Sequence, residues 1–255
     1  MWLRCPRQYD FRYWQGIKIR PVGVMIQGSA YHETVASYYK NKMKKMPVME
    51  FELSSDKIMT SDWIEDTFST SWESKLRGKI TEKDADELEL APEEINWEGA
   101  EPGRVKDQGI KLVKSYIYNI GKAIEPIKVE EKVEMDFGSF VYVGYPDVET
   151  ERNIIDHKIK SRMMSQQEAD RDLQPISYLM LRNKRDFAYH IIIRSDKPRE
   201  PVIVETRREV EDIEWWRRQV GLYVAAMDTG IAPPNPTSWL CSPKWCGYWD
   251  LCRRE

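Results

Sequence analysis

No stretch of this 255-residue sequence approaches the roughly 20 consecutive apolar residues that span a bilayer. The N-terminus also lacks the apolar core of a signal peptide. Together these absences predict an intracellular, cytoplasmic protein. Internal repeats and low-complexity tracts are missing, which argues against solenoids and disordered tails. No G-x4-G-K-[ST] phosphate loop occurs, so nothing marks a nucleotide-driven motor. The net charge is only −3, so the chain as a whole does not advertise a polyanionic partner.

What is present is 41% hydrophobic and 32% charged, ordinary for a globular protein with a substantial core. The charges are unevenly distributed. Acid concentrates between Glu82 and Glu101, whereas base clusters at Lys40–Lys45, Lys158–Arg162, Arg182–Arg185, Arg207-Arg208 and Arg217-Arg218. A chain that is slightly acidic overall can therefore hold a basic track.

Hydrophobic periodicity gives the outline. Cys5-Pro6 leads into an aromatic helix, with Pro early in it. Gly28-Ser29 is expected to open a second helix running to about Lys45, with Ser29 as N-cap and His32 in the first turn. Residues 50–103 read as a helical insertion or cap anchored by Trp63, Phe68 and Trp72, ended by Pro102-Gly103. A long helix follows from about Arg104 to Lys122. The period then shortens to that of strands at Ile127–Met135, Phe140–Val143 and from Ile154. Ser165–Arg182 is expected as one helix, Phe187–Arg194 and Pro201–Glu205 as strands, and Val210–Met227 as a helix. Helix, three strands, helix, strand is an α/β sandwich, in a single domain spanning 1–255.

The richest chemistry lies in Gly144-Tyr145-Pro146-Asp147 and in Ile154-Ile155-Asp156-His157-Lys158. Alternation along a strand places Asp156 and Lys158 on one face and His157 on the other. If consecutive strands bring Asp147 alongside, the site holds two carboxylates and one ammonium. Such a set suits a hard divalent cation acting on a phosphate ester. Gln174 and Tyr178, four apart on a helix, share a face.

Four cysteines sit at the extremes: Cys5, and the triplet Cys241-x4-Cys246-x5-Cys252. Clustered thiols in an intracellular chain favour a metal or cluster over disulfides, and the spacing leaves zinc and a four-thiolate iron–sulfur cluster both open. Either would tie the two ends together. The nearby Trp239, Trp245, Tyr248 and Trp249 are expected to shield the thiols from water.

Assembled, these motifs resemble the PD-(D/E)XK nuclease superfamily, in its RecB/AddB-like branch that carries an iron–sulfur staple. That branch includes the CRISPR-associated adaptation exonucleases. The resemblance rests on Cys5-Pro6-Arg7-Gln8-Tyr9, Gly28-x3-His32, Gly144-x2-Asp147, Asp156-His157-Lys158, Gln174-Pro175-Ile176-Ser177-Tyr178 and the terminal cysteine triplet, in the family's order. It departs from the pattern in having only four residues before Cys5 and Asp rather than Glu as the second acid.

The resemblance implies a restriction-endonuclease-like core and a stand-alone, metal-dependent DNA exonuclease preferring single strands or frayed ends. It implies Mg²⁺ or Mn²⁺ held by His32, Asp147, Asp156 and the backbone carbonyl of His157, with Lys158, Gln174 and Tyr178 completing the catalytic set. It implies a 4Fe-4S cluster on Cys5, Cys241, Cys246 and Cys252, forming a module with residues 231–255, zinc being the alternative. DNA contacts are expected from Lys160, Arg162, Arg182, Lys184 and Arg185, with Tyr31 stacking on unpaired bases. Recombination or CRISPR-adaptation proteins are the implied partners. A structure-specific endonuclease and a non-catalytic DNA-end-binding module are the competing readings.

Overall fold

The computed structural model describes residues 1–44, 59–77 and 95–254. Its centre is a five-stranded sheet of order β1-β4-β5-β6-β7, formed by Lys128–Val129, Val148–Glu149, Ile154–Lys160, Asp186–Ile193 and Val202–Arg207. Only β5 and β6 run parallel, with Asp156 opposite Tyr189 and Lys158 opposite Ile191. A parallel pair needs a crossover, which here consists of α5 (Gln166–Arg171) and α6 (Leu173–Arg182).

Alternation sorts the strand residues between two cores. Ile155, Ala188 and Ile192 pack towards a helical layer of α2 (Gly23–Lys44), α3 (Ser61–Leu76) and α4 (Pro102–Asn119). Ile154, Phe187, Tyr189 and Ile191 pack with Ala169 and Leu179 of the crossover helices. Beyond α6, Trp216 and Val220 of α7 (Val210–Asp228) cover Ile176 and Met180. The sheet is thus buried on both faces, as the α/β reading expects. None of the described helices is long and apolar enough to cross a membrane.

Four local expectations change. The strand Phe140–Val143 does not pair with β5. As β3 (Val141–Gly144) it forms a separate hairpin with β2 (Val133–Asp136), and the short β4 pairs with β5 instead. Pro146 supplies the reason: it lacks the N–H needed to carry the ladder from β3 into β4.

Helix α2 begins at Gly23, so Gly28 and Ser29 are interior and His32 lies well inside the helix. Tertiary contacts extend it. Gly23 N donates to Asn96 O at 2.9 Å, and a side chain at position 23 would collide with the Trp97 indole.

The helix expected over Ser165–Arg182 is broken at Asp172, which is extended at φ −68°, ψ 139°. Pro175 is tolerated only in a first turn, so the chain restarts its helix just before it. Pro102-Gly103, expected to end the insertion, instead begins α4 behind the Glu101 cap.

Residues 50–58 and 78–94 of the expected insertion lie outside the described residues. Its described helix, α3, packs Ile64, Phe68 and Trp72 into the main core.

Near the N-terminus, the short α1 (Pro6–Tyr9) continues as a π-turn over Asp10–Trp14. Tyr248, just before α8 (Trp249–Cys252), stacks on Phe11 with ring centroids 5.5 Å apart. The two ends of the described chain therefore meet.

Candidate active site

Strand β5 divides the Asp156-His157-Lys158 triplet as alternation requires. On the α6 side, Lys158 Nζ lies 2.7 Å from Asp156 Oδ2. Gln174 bridges the pair: its Nε2 donates to Asp156 Oδ1 at 2.6 Å, and its Oε1 accepts from Lys158 Nζ at 2.7 Å. The break at Asp172 makes this possible by setting Gln174 in the first turn of a new helix. Asp172 Oδ1 accepts from Gln174 N at 3.1 Å, and Asp172 Oδ2 accepts from Tyr189 Oη at 2.8 Å. Buried Arg208 holds the break itself, donating to the carbonyls of Ala169, Asp170 and Asp172.

Asp147 arrives from the start of β4, one residue before the Val148–Ile155 pair. Its Oδ2 accepts from His157 N at 2.9 Å and lies 3.0 Å from His32 Nδ1, presented by α2. The turn that delivers Asp147 is anchored from below. Buried Glu149 meets Arg182 Nε at 3.0 Å and Lys184 Nζ at 3.4 Å, and Lys184 also donates to Thr150 O. Tyr178 Oη donates to Tyr145 O at 3.2 Å, fixing the segment between Gly144 and Asp147. Gly144 is required there: a Cβ would sit 2.7 Å from Leu181 Cδ1 and 3.0 Å from the Tyr178 ring.

His157 faces the helical layer. Its Nδ1 lies 3.4 Å from Asp147 Oδ2, and its Nε2 is 2.8 Å from Tyr116 Oη. Tyr116 is a hub, also bonded to Tyr39 Oη at 2.7 Å and His190 Nδ1 at 2.9 Å. One proton assignment satisfies every group. With the His157 proton on Nδ1, beside the carboxylate, Tyr116 donates to His157 Nε2 and accepts from Tyr39 and from His190 Nδ1–H.

The electrostatics follow from burial. Desolvation raises the Asp156 pKa above the ordinary carboxylate range; Lys158 opposes this, and nearby Asp147 adds to it. Burial alone would lower Lys158, but Asp156 outweighs it and the ammonium is retained. Burial, then the neighbouring His157, lowers His190 to about 3, so that ring is neutral. Two buried acids side by side with one ammonium leave negative charge for a cation to neutralise. Ligand atoms of His32, Asp147 and His157 lie within 4.8 Å of one another. His32 and Asp147 offer an imidazole and a carboxylate that suit a divalent ion, whereas both nitrogens of the His157 ring are already engaged.

The residues expected to contact DNA divide. Tyr31 is fully buried, its ring against His32, Tyr116 and His157, so it cannot stack on a base. Arg182 and Lys184 are committed to Glu149 and its turn, which corrects their reading as phosphate contacts. Arg185 pairs with Glu209 and Arg162 with Glu168. Lys160, on the same strand face as Asp156 and Lys158, has no side-chain partner among the described residues.

Cys5, Cys241, Cys246 and Cys252 line one cavity of about 100 Å³. Gln8 Nε2 donates to Cys246 Sγ at 3.1 Å, and Asn235 N donates to Cys5 Sγ at 3.5 Å. Tyr248 and Trp249 line the cavity, but Trp239 and Trp245 are 72% and 54% exposed. The expected shield is therefore only half present.

A model of the PD-(D/E)XK nuclease superfamily matches residues 2–253. The chain is also similar to a crystal structure of a candidate exonuclease from Eubacterium rectale, at 12% identity and a TM-score of 0.46, over 90% of each chain. At that level the likeness fixes no detail of this site. No curated protein matches.

Proposed function

Because this chain belongs to the PD-(D/E)XK nuclease superfamily, we propose that it is a metal-dependent DNA exonuclease acting on single-stranded or frayed ends. One observation carries this reading: Asp156, Lys158 and Gln174 are locked together beside Asp147 and His32. His32, Asp147 and Asp156, with the carbonyl of His157, would hold Mg²⁺ or Mn²⁺, which polarises phosphate oxygens and lowers the pKa of water. Lys158 offers an ammonium to the charge that builds on the phosphate as the P–O bond breaks. Gln174 keeps that ammonium aimed, and Tyr178 holds the loop bearing Asp147. The His157 ring, with Tyr116 behind it, orients the same carboxylate.

The four cysteines belong to this proposal as a structural 4Fe-4S site. What supports it is their common cavity and the N–H groups pointing at two sulfurs. Such a group would join the chain ends and take no part in hydrolysis. Anaerobically purified protein is then brown, and Cys246→Ser bleaches it; colourless protein with stoichiometric zinc would overturn this part.

The test of the activity is digestion of end-labelled single- and double-stranded DNA with Mg²⁺, Mn²⁺ or EDTA. Single strands should shorten from an end only with metal present. Asp156→Ala should abolish this without unfolding the protein. Cleavage of a closed single-stranded circle would rule out a pure exonuclease, and intact substrate under all conditions would rule out nuclease activity.

A further inference from the structure

Beyond Lys158 the active-site face of β5 runs into a second feature, a groove of about 770 Å³ between the end of the strand and α5. Lys160, Arg162, Arg171 and Arg194 line it, with Trp239 on its rim. The charges do not cancel. Arg162 is paired with Glu168, and the Asp172 carboxylate, bonded by the neutral Tyr189 hydroxyl and Gln174 N–H, keeps a negative charge that offsets one cation. Lys160 and Arg171 have no side-chain partner among the described residues, and Arg194 donates to neutral Gln27, with Glu98 close enough to act on its charge. The lining thus sets four cations against two carboxylates, and the open channel keeps a positive excess.

Trp239 supplies the second half of the chemistry. It is a large apolar ring left 72% exposed, with an edge-to-face ring contact to Trp245 at a centroid distance of 6.1 Å. An indole standing beside an excess of cations suits a ligand that alternates anionic groups with flat faces. Along a strand, Lys158 and Lys160 are roughly 6.7 Å apart, close to the step between phosphates in an extended nucleic acid.

We propose that this groove binds the single strand that continues away from the reacting phosphate. Lys160, Arg171 and Arg194 hold successive phosphates, and Trp239 stacks on an unpaired base. The inference deepens the nuclease reading and rests on it. It also makes strand selectivity a property of one residue, because a duplex has no free base face to give Trp239.

The test is fluorescence anisotropy in EDTA, where nothing is cut, using labelled oligothymidine of about 20 nucleotides and a duplex of equal length. Trp239→Ala should weaken single-strand binding roughly 5- to 150-fold, the range for one stacked base, and leave duplex binding unchanged. Trp239→Phe should restore most of the loss. Lys160→Gln and Arg171→Gln should each lower the salt slope by about 0.7. Equal weakening of both substrates, or single-strand affinity within about twofold of wild type, would overturn the groove. Cleavage by wild-type protein with Mn²⁺ is scored separately. If it cuts while Trp239→Ala binds normally, the groove is wrong and the nuclease stands. If wild type neither cuts nor binds, both readings fail.

Discussion

Acidification should unfold this protein partly through a single ring, His190. The side chain is 2% exposed, sits 2.9 Å from the Tyr116 hydroxyl, and has its pKa lowered to about 3 by burial and by His157. In the unfolded chain an ordinary histidine titrates near 6.5. The folded value is the depressed one, so the unfolded state binds the extra proton. The stabilisation is therefore complete above about pH 6.5 and is lost as pH falls towards about 3.

Each pH step below 6.5 costs about 1.4 kcal/mol, so the loss between about pH 7.5 and pH 5 is about 2 kcal/mol. Any folded value below about 4 gives the same loss at pH 5, so the prediction does not depend on the last digit. Wild type and His190→Asn, which keeps a nitrogen near the Nδ1 position without titrating, would be unfolded in urea at both pH values. Tryptophan fluorescence follows the transition. Other titrating groups are common to both proteins and cancel. The stability advantage of wild type over the variant should shrink by about 2 kcal/mol on going to pH 5. Parallel pH profiles would show that His190 is not held neutral.

Tyr116→Phe removes an oxygen shared by three buried partners and should cost about 3–5 kcal/mol. A loss under about 1 kcal/mol in urea denaturation would mean that the hub is not load-sharing. Gly144→Ala places a methyl against Leu181 and the Tyr178 ring, so stability should fall by about 1–3 kcal/mol. Metal-dependent cleavage should fall further than stability accounts for, because the Tyr178–Tyr145 bond that orders the Asp147 loop is strained. Wild-type activity at full occupancy of the folded state would contradict that coupling.

The legible parts of the sequence were those governed by short-range rules. Alternation alone separated Asp156 and Lys158 from His157, and helical spacing put Gln174 and Tyr178 on one face. The partners of these residues were hidden. Tyr116 reads as one more apolar position of α4, because nothing in a helical period reveals where a phenol oxygen ends. His190 is concealed within the clear alternation of Phe187, Tyr189 and Ile191, on the opposite side of that strand. The misread strand pairing has a local cause in Pro146, but the early start of α2 depends on Asn96 and Trp97, far along the chain. Arg182 and Lys184 were misread for a related reason. Sequence shows the cations of Arg182 and Lys184 but not the buried Glu149 that claims them. Trp239 erred in the other direction, as proximity to cysteines in sequence did not mean burial among them.

The meeting of the chain ends has a temporal side. Gln8 and Cys246, in hydrogen-bond contact, are 238 residues apart. At about 5–20 residues per second, a ribosome needs on the order of 10–50 s to make the second after the first. Within that interval the sheet and its helical layers can form while α1 still lacks its C-terminal partner. The aromatic segment Trp2–Trp14 is thus made long before the partner that holds it in place. A nascent chain stalled before Cys241 should accordingly present Trp2, Tyr9 and Phe11 to chaperones until the cysteine-bearing segment is made.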